Sequence, residues 1–203
     1  MEIKEPALKY ETGLWPTEFI NWERKAETKH EYVDGRIIDM AGASLWHNRI
    51  VSNIIGHIYP FLSGKTCQIY PSDLRIYAKS KESYFYPDAS IICGDPEFSD
   101  EIKDTIVNPK VIFEILSPST KDYDTGIKLY YYMQIKSLQQ YIMIDSANLI
   151  VRSALRQADG AWRFQELDNM DENILIEPIQ CILQLKEMYD GIHFPNDLQS
   201  LKK

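Results

Sequence analysis

The chain is poor in three things that often announce a function. Its three cysteines, Cys67, Cys93 and Cys181, are far apart, odd in number and without the spacing of a zinc site. Two of them lie in apolar runs, which reads as buried free thiols in a reduced, intracellular protein. No apolar run is long enough to span a bilayer, and Met1-Glu2-Ile3-Lys4-Glu5-Pro6 carries no apolar signal region. The expectation is a cytoplasmic protein with no membrane partner. Nor is there a basic excess. The net charge is −8, which argues against coating nucleic acid through a basic surface. No helix-turn-helix or zinc-finger pattern is visible, and no glycine-flanked elbow surrounds Ser117 or Ser119 to make either a nucleophile.

The acidic excess is local. Residues 95–104 carry a balance of −4 and residues 166–190 one of −6, so the remainder sums to +2 and need not repel a polyanion. At 203 residues, 44% hydrophobic and 26% charged, the chain has room for one full-sized domain and is short for two. It shows no repeat, low-complexity tract or linker. The reading is a single α/β domain over 1–203, with 1–14 and 195–203 loosely held.

Periodicity then orders the elements. A short helix opens at Trp15-Pro16-Thr17, with Thr17 as its N-cap. His30–Val33 and Arg36–Met40 flank Asp34-Gly35, the dipeptide of a tight primed hairpin turn. Ser44 caps a helix from Leu45 to Leu62, in which Ile50, Val51, Ile54, Ile55, Ile58, Phe61 and Leu62 recur at helical spacing, and Ser63-Gly64 ends it. Strands follow over Thr66–Ile76, interrupted at Pro71-Ser72-Asp73, over Tyr84–Cys93 and over Lys110–Leu116, with residues 94–108 an exposed acidic loop. Asp122–Lys136 reads as a helix with Tyr123, Ile127, Tyr130 and Tyr131 on its inner side. Gln140–Ile144 returns as a strand, which implies parallel pairing with Lys110–Leu116. A hairpin over Leu149–Leu155 and Trp162–Leu167 and a tail from Ile174 to Tyr189 complete the chain.

Two of these strands carry one acid each where an acid is costly to bury. Asp88 stands behind Pro87 at the head of one apolar run, and Glu114 is embedded in Val111-Ile112-Phe113-Glu114-Ile115-Leu116. Two carboxylates on neighbouring strands can converge on one divalent cation, because hard cations take oxygen ligands.

At these residues the sequence resembles the restriction-endonuclease-like nucleases with the PD-(D/E)xK motif, and within them the Uma-two family. The resemblance runs from about Trp15 to Ile192. It is carried by Glu31-Tyr32-Val33-Asp34-Gly35, Met40-Ala41-Gly42-Ala43-Ser44, His47-Asn48-Arg49-Ile50, Tyr70-Pro71-Ser72-Asp73, Tyr86-Pro87-Asp88, Asn108-Pro109, Glu114-Ile115-Leu116-Ser117-Pro118-Ser119-Thr120, Asp122-Tyr123-Asp124, Gly126-Ile127-Lys128 and Ser137-Leu138-Gln139-Gln140-Tyr141. It implies a restriction-endonuclease-like α/β fold, with a central mixed sheet flanked by helices, an N-terminal hairpin and a C-terminal antiparallel extension. It also implies an endonuclease hydrolysing nucleic-acid phosphodiesters, DNA rather than RNA, with Mg²⁺ or Mn²⁺ held by Asp88, Glu114 and the main-chain carbonyl of Ile115. A homodimer is the expectation by analogy with nuclease folds. The motif lysine, due two residues after the acid, is replaced by Leu116, and the resemblance moves its role to Lys128 on the following helix, with Lys121 the nearer alternative. Glu31, His47 and Asp73 are supporting candidates, each weighed against a structural role as strand acid, core histidine or turn cap. The rival reading is the same fold without catalysis, as a binding or assembly module.

Overall fold

The computed structural model describes residues 8–11, 13–40 and 42–194. In chain order the elements are β1 (Leu8–Glu11), α1 (Pro16–Glu23), β2 (His30–Val33), β3 (Arg36–Asp39), α2 (Leu45–Leu62), β4 (Cys67–Pro71), β5 (Arg75–Ala78), β6 (Ser83–Phe85), β7 (Ala89–Cys93), β8 (Thr105–Ile106) and β9 (Val111–Leu116). A helical segment follows as α3 (Lys121–Tyr123), a π-helical turn (Asp124–Lys128) and α4 (Leu129–Tyr132). The rest is β10 (Gln140–Asp145), β11 (Val151–Arg156), β12 (Trp162–Leu167), β13 (Asn173–Ile176), β14 (Cys181–Gln184) and α5 (Leu185–Met188). The fold is restriction-endonuclease-like α/β.

Two six-stranded sheets organise it, one in the order β1-β3-β2-β6-β5-β8 and one in the order β12-β11-β10-β9-β7-β4. In the second sheet β9 and β10 pair in parallel, as the strand–helix–strand reading expects, while β7 runs antiparallel to β9. Alternation along β9 decides which side chain meets which layer. Val111, Phe113 and Ile115 join Ile142 and Ile144 of β10 against Ile50, Ile54, Ile58 and Leu62 of α2. Ile112 and Leu116 face the other way, into a core shared with the first sheet through Ile76 and Phe85 and with α4 through Leu129 and Tyr132. Glu114 lies on this second face.

Several expectations are met locally. The Asp34-Gly35 turn has both residues at positive φ, 51° and 77°, as a primed hairpin turn requires. Ser44 caps α2 by accepting from the His47 N–H at 3.1 Å. Others need correction. The N-cap of α1 is Trp15, two residues before Thr17, with Pro16 at the first helical position and Glu18 accepting from the Trp15 N–H. The lead-in contains β1, paired antiparallel to β3; residues 1–7, 12 and 195–203 of the segments expected to be loose lie outside the described residues.

The long runs Thr66–Ile76 and Tyr84–Cys93 are each two strands, one in each sheet. The first divides between β4 and β5, the second between β6 and β7. Pro71 and Pro87 stand at the two crossings, where a residue without an N–H cannot carry a ladder onward. The acidic loop 94–108 contains β8, which pairs in parallel with β5.

That loop is held by Asp104, which takes hydrogen bonds from Arg24 at 2.7 and 2.8 Å and from Arg75 at 2.9 Å. The Arg24 bonds, helped by Thr105 and Arg75 and opposed by burial, hold the Asp104 carboxyl down at about 2. A depressed folded-state pKa contributes stability above the unfolded value and loses it as the pH falls through the folded value. Wild type should therefore exceed Asp104→Asn by about 1 kcal/mol above pH ~4, discounted for partial exposure, and the gap should close by pH ~2. Urea unfolding across that range checks it; a gap independent of pH would sink it.

The cysteine reading is overturned. Cys67 and Cys93 are directly opposed in the β4–β7 register and form a disulfide, leaving Cys181 as the buried free thiol. The cysteine count therefore no longer argues for a reducing compartment. The bridge spans 26 residues, so reduction should cost about 3.5 kcal/mol by the loop-closure relation. Thermal unfolding with and without dithiothreitol measures this, and an unchanged midpoint would refute it. Among the described residues no helix is long and apolar enough to cross a membrane.

Candidate active site

The site forms where the two sheets meet. β2 contributes Glu31, the β6–β7 crossing contributes Asp88, β9 contributes Glu114, and the π-helical turn contributes Asp124 and Lys128. The Lys128 ammonium is 2.8 Å from Glu31, 2.9 Å from Glu114 and 3.6 Å from Asp124. Glu31, Glu114 and Lys128 are 3–4% exposed. Each acid is further held. Glu31 Oε1 accepts from the Tyr86 N–H at 2.9 Å, and its Oε2 from the Tyr123 hydroxyl at 2.8 Å. Glu114 Oε1 takes a long bond of 3.4 Å from the Tyr132 hydroxyl.

Asp88 is tied on both oxygens. Oδ2 accepts from the Ile115 N–H at 2.7 Å, and Oδ1 lies 2.8 Å from His47 Nε2. A carboxylate only accepts, so that imidazole nitrogen carries the proton. Ser44 and the α2 N-terminus therefore reach the acid through His47. The register Ala89↔Phe113, continued by two residues, sets Pro87 against Ile115. Pro87 has no N–H to give the Ile115 carbonyl, which leaves that oxygen on the edge where Asp88 sits.

One ammonium serves three carboxylates among the described residues, Glu31, Glu114 and Asp124, and the ionisation follows. Burial, reinforced by Asp88, Asp124 and Glu31 and opposed by Lys128, pushes the Glu114 carboxyl well above the ordinary range. Burial likewise lifts Asp124 to about 6, against Lys128 and a hydrogen bond with Thr120. For Lys128 burial pulls downward, but Glu114 and Glu31 outweigh it and hold the ammonium charged.

The π-helical turn makes this possible. A regular helix from Tyr123 would place Ile127 and Tyr130 inside, as the spacing predicts. The wide turn advances the phase by a residue, so Asp124, Lys128, Leu129, Tyr131 and Tyr132 are buried while Ile127 and Tyr130 are exposed. The helical segment also ends at Tyr132, short of the predicted Lys136.

The sequence profile of the Uma2 family, described as "Putative restriction endonuclease", matches residues 16–185. The chain belongs to the Uma2 family. Two uncharacterized Synechocystis proteins are similar to it: sll1609, 35% identical over 164 residues covering 81% of this chain and 92% of that protein, and slr1290, 32% identical over 186 residues covering 89% and 94%. The crystal structure of a nuclease described as putative, from the DUF820 family of Anabaena variabilis, shares the fold at a TM-score of 0.74. It is 19% identical, over 89% of this chain and 99% of that one.

In this Uma2 chain the structure brings Asp88, Glu114, Lys128, Glu31 and His47 together. Glu31 is no edge-strand acid: β2 lies between β3 and β6. Asp73 and Lys121 stand apart. The Asp73 side chain is 85% exposed and paired with Lys29, and Lys121 bonds Asp145 at 2.8 Å. The Ser117 hydroxyl bonds those of both Ser119 and Thr120 at the turn. Asp124, Tyr123, Tyr132 and the Tyr86 N–H went unassigned on sequence. Asp124 had a signal, its i,i+4 spacing to Lys128. Tyr86 and Tyr123 lie in blocks that carry the family likeness, which gives them no role, and Tyr132 has no signal.

The donor set around Asp88 fits a hard divalent cation, since two carboxylates and the Ile115 carbonyl are all oxygen donors. Among the described residues no three or more His, Cys, Asp or Glu are grouped as metal ligands, and Lys128 already neutralises part of the charge.

Proposed function

We propose that this Uma2 chain is a metal-dependent endonuclease that hydrolyses phosphodiester bonds of DNA. The observation that carries the reading is the cluster where the head of β7 meets the C-terminal half of β9: Glu31, Glu114 and Asp124 surround Lys128, and Asp88 bonds the N–H of Ile115 beside Glu114, in the family's fold. Asp88, Glu114 and the Ile115 carbonyl would hold Mg²⁺ or Mn²⁺. Bound there, the cation would act as a Lewis acid on the scissile phosphate and lower the pKa of a water.

The chain's own residues have defined tasks. Asp88, clamped by the Ile115 N–H and His47, is preorganised and loses little freedom when it binds. Lys128 supplies positive charge for the phosphate as negative charge develops. Tyr86 and Tyr123 keep Glu31 aimed at Lys128. The experiment is nicking of supercoiled plasmid by wild type with Mg²⁺ or Mn²⁺ and with EDTA. Cleavage that EDTA abolishes is expected; no cleavage with either metal, in folded protein that binds metal, would sink the nuclease.

One observation favours a second reading. The Lys128 ammonium already answers Glu31 and Glu114 at 2.8 and 2.9 Å, as it would in a non-catalytic module whose acids serve only as structure. Absence of metal binding at millimolar concentration would select that reading.

A further inference from the structure

We propose that the Lys128 ammonium and a divalent cation are alternative partners of Glu114, so that metal enters by exchange against the chain's own lysine. This deepens the metal-dependent reading and rests on it. The ammonium has three N–H donors, and three acids surround it: Glu31 at 2.8 Å, Glu114 at 2.9 Å and Asp124 at 3.6 Å. Two contacts are made and the third acid stands one short step away. A lysine is a compact charge on a flexible stem, so Nζ can leave Glu114 for Asp124 while keeping Glu31.

The acids themselves are less free. Glu31 is fixed on both oxygens by the Tyr86 N–H and the Tyr123 hydroxyl, and stays as anchor while the ammonium moves. Asp124 is one turn before Lys128 on the same helical segment and travels with it. Glu114 is the acid within reach of Asp88, the other candidate ligand: Asp88 bonds the N–H of Ile115, the next residue. Charge favours the exchange. A single positive charge among Glu31, Glu114, Asp124 and Asp88 leaves the pocket negative, and a divalent cation at Glu114 offsets more of it.

The probe is Mn²⁺ alone, added to the full chain and followed by calorimetry and thermal unfolding, without reference to cleavage. Lys128→Met should bind Mn²⁺ at least about tenfold more tightly than wild type, a coupling of ordinary size between exclusive ligands. Its unfolding midpoint should rise more with Mn²⁺ than that of wild type. Equal or weaker binding by Lys128→Met, with wild type binding Mn²⁺, overturns the exchange and leaves the metal reading intact. No binding by either protein overturns both. A gain that survives Asp88→Ala in the Lys128→Met background would put the cation elsewhere and also overturns it. Should Lys128→Met fold only when refolded with Mn²⁺, the cation has replaced the ammonium, as proposed; failure to fold even in millimolar Mn²⁺ counts against it.

Discussion

Asp88→Asn is expected to lower plasmid nicking by about 10³-fold, close to 4 kcal/mol of transition-state stabilisation, while the unfolding free energy changes by no more than about 1 kcal/mol. The two effects separate because the substitution keeps shape and removes charge. The asparagine oxygen can accept the 2.7 Å bond from the Ile115 N–H. Its amide then donates to His47 Nε2, which takes the other tautomer in place of the present bond. What is lost is a negative oxygen ligand beside Glu114, and a neutral amide binds a hard divalent cation far less well. Nicking at wild-type rate by the folded variant would remove Asp88 from the chemistry. A joint loss of activity and folding would show a structural acid instead.

The largest effect on stability is expected at Lys128. Without metal, Lys128→Met should lower the unfolding free energy by about 3–5 kcal/mol, the cost of leaving buried charges without their partner. At this chain length that is a fall in midpoint of about 10 °C. Methionine nearly preserves the volume, so packing contributes little. The loss comes from Glu31, Glu114 and Asp124, which keep their burial and lose the only ammonium the described contacts place among them. Adding Glu31→Gln removes one of those carboxylates and should recover about 1–2 kcal/mol, an interaction a double-mutant cycle reads directly. Additive losses in the double variant would show that packing, not charge, is what Lys128 provides.

Both predictions turn on residues that differ in how legible they were. Glu114 and Asp88 stood out because an acid in or beside an apolar run is anomalous within a window of a few residues. The hairpin at Asp34-Gly35 and the stripe of α2 were equally local, set by φ preference and by the 3.6-residue period. The family likeness added Glu31, His47 and Lys128 as candidates. It could not say that Glu31 and Lys128 touch, because they sit 97 positions apart and meet only after β2 and the helical segment close on one another.

What the sequence by itself determined is the order of elements, the acids that stand out, and the family. Tertiary structure alone decided the rest. Strand pairing is non-local, so the opposition of Cys67 and Cys93 and the division of two apolar runs between sheets follow from register, which no window contains. Helix phase past Tyr123 is likewise set by what must be buried. Lys128 turns inward at the π-helical turn toward Glu31 and Glu114, Asp124 one turn earlier pairs with it, and Ile127, the better apolar candidate on spacing, is left outside. Asp73 shows the converse: the same acid-in-a-turn pattern, with no strand or helix brought against it, remains a surface ion pair with Lys29.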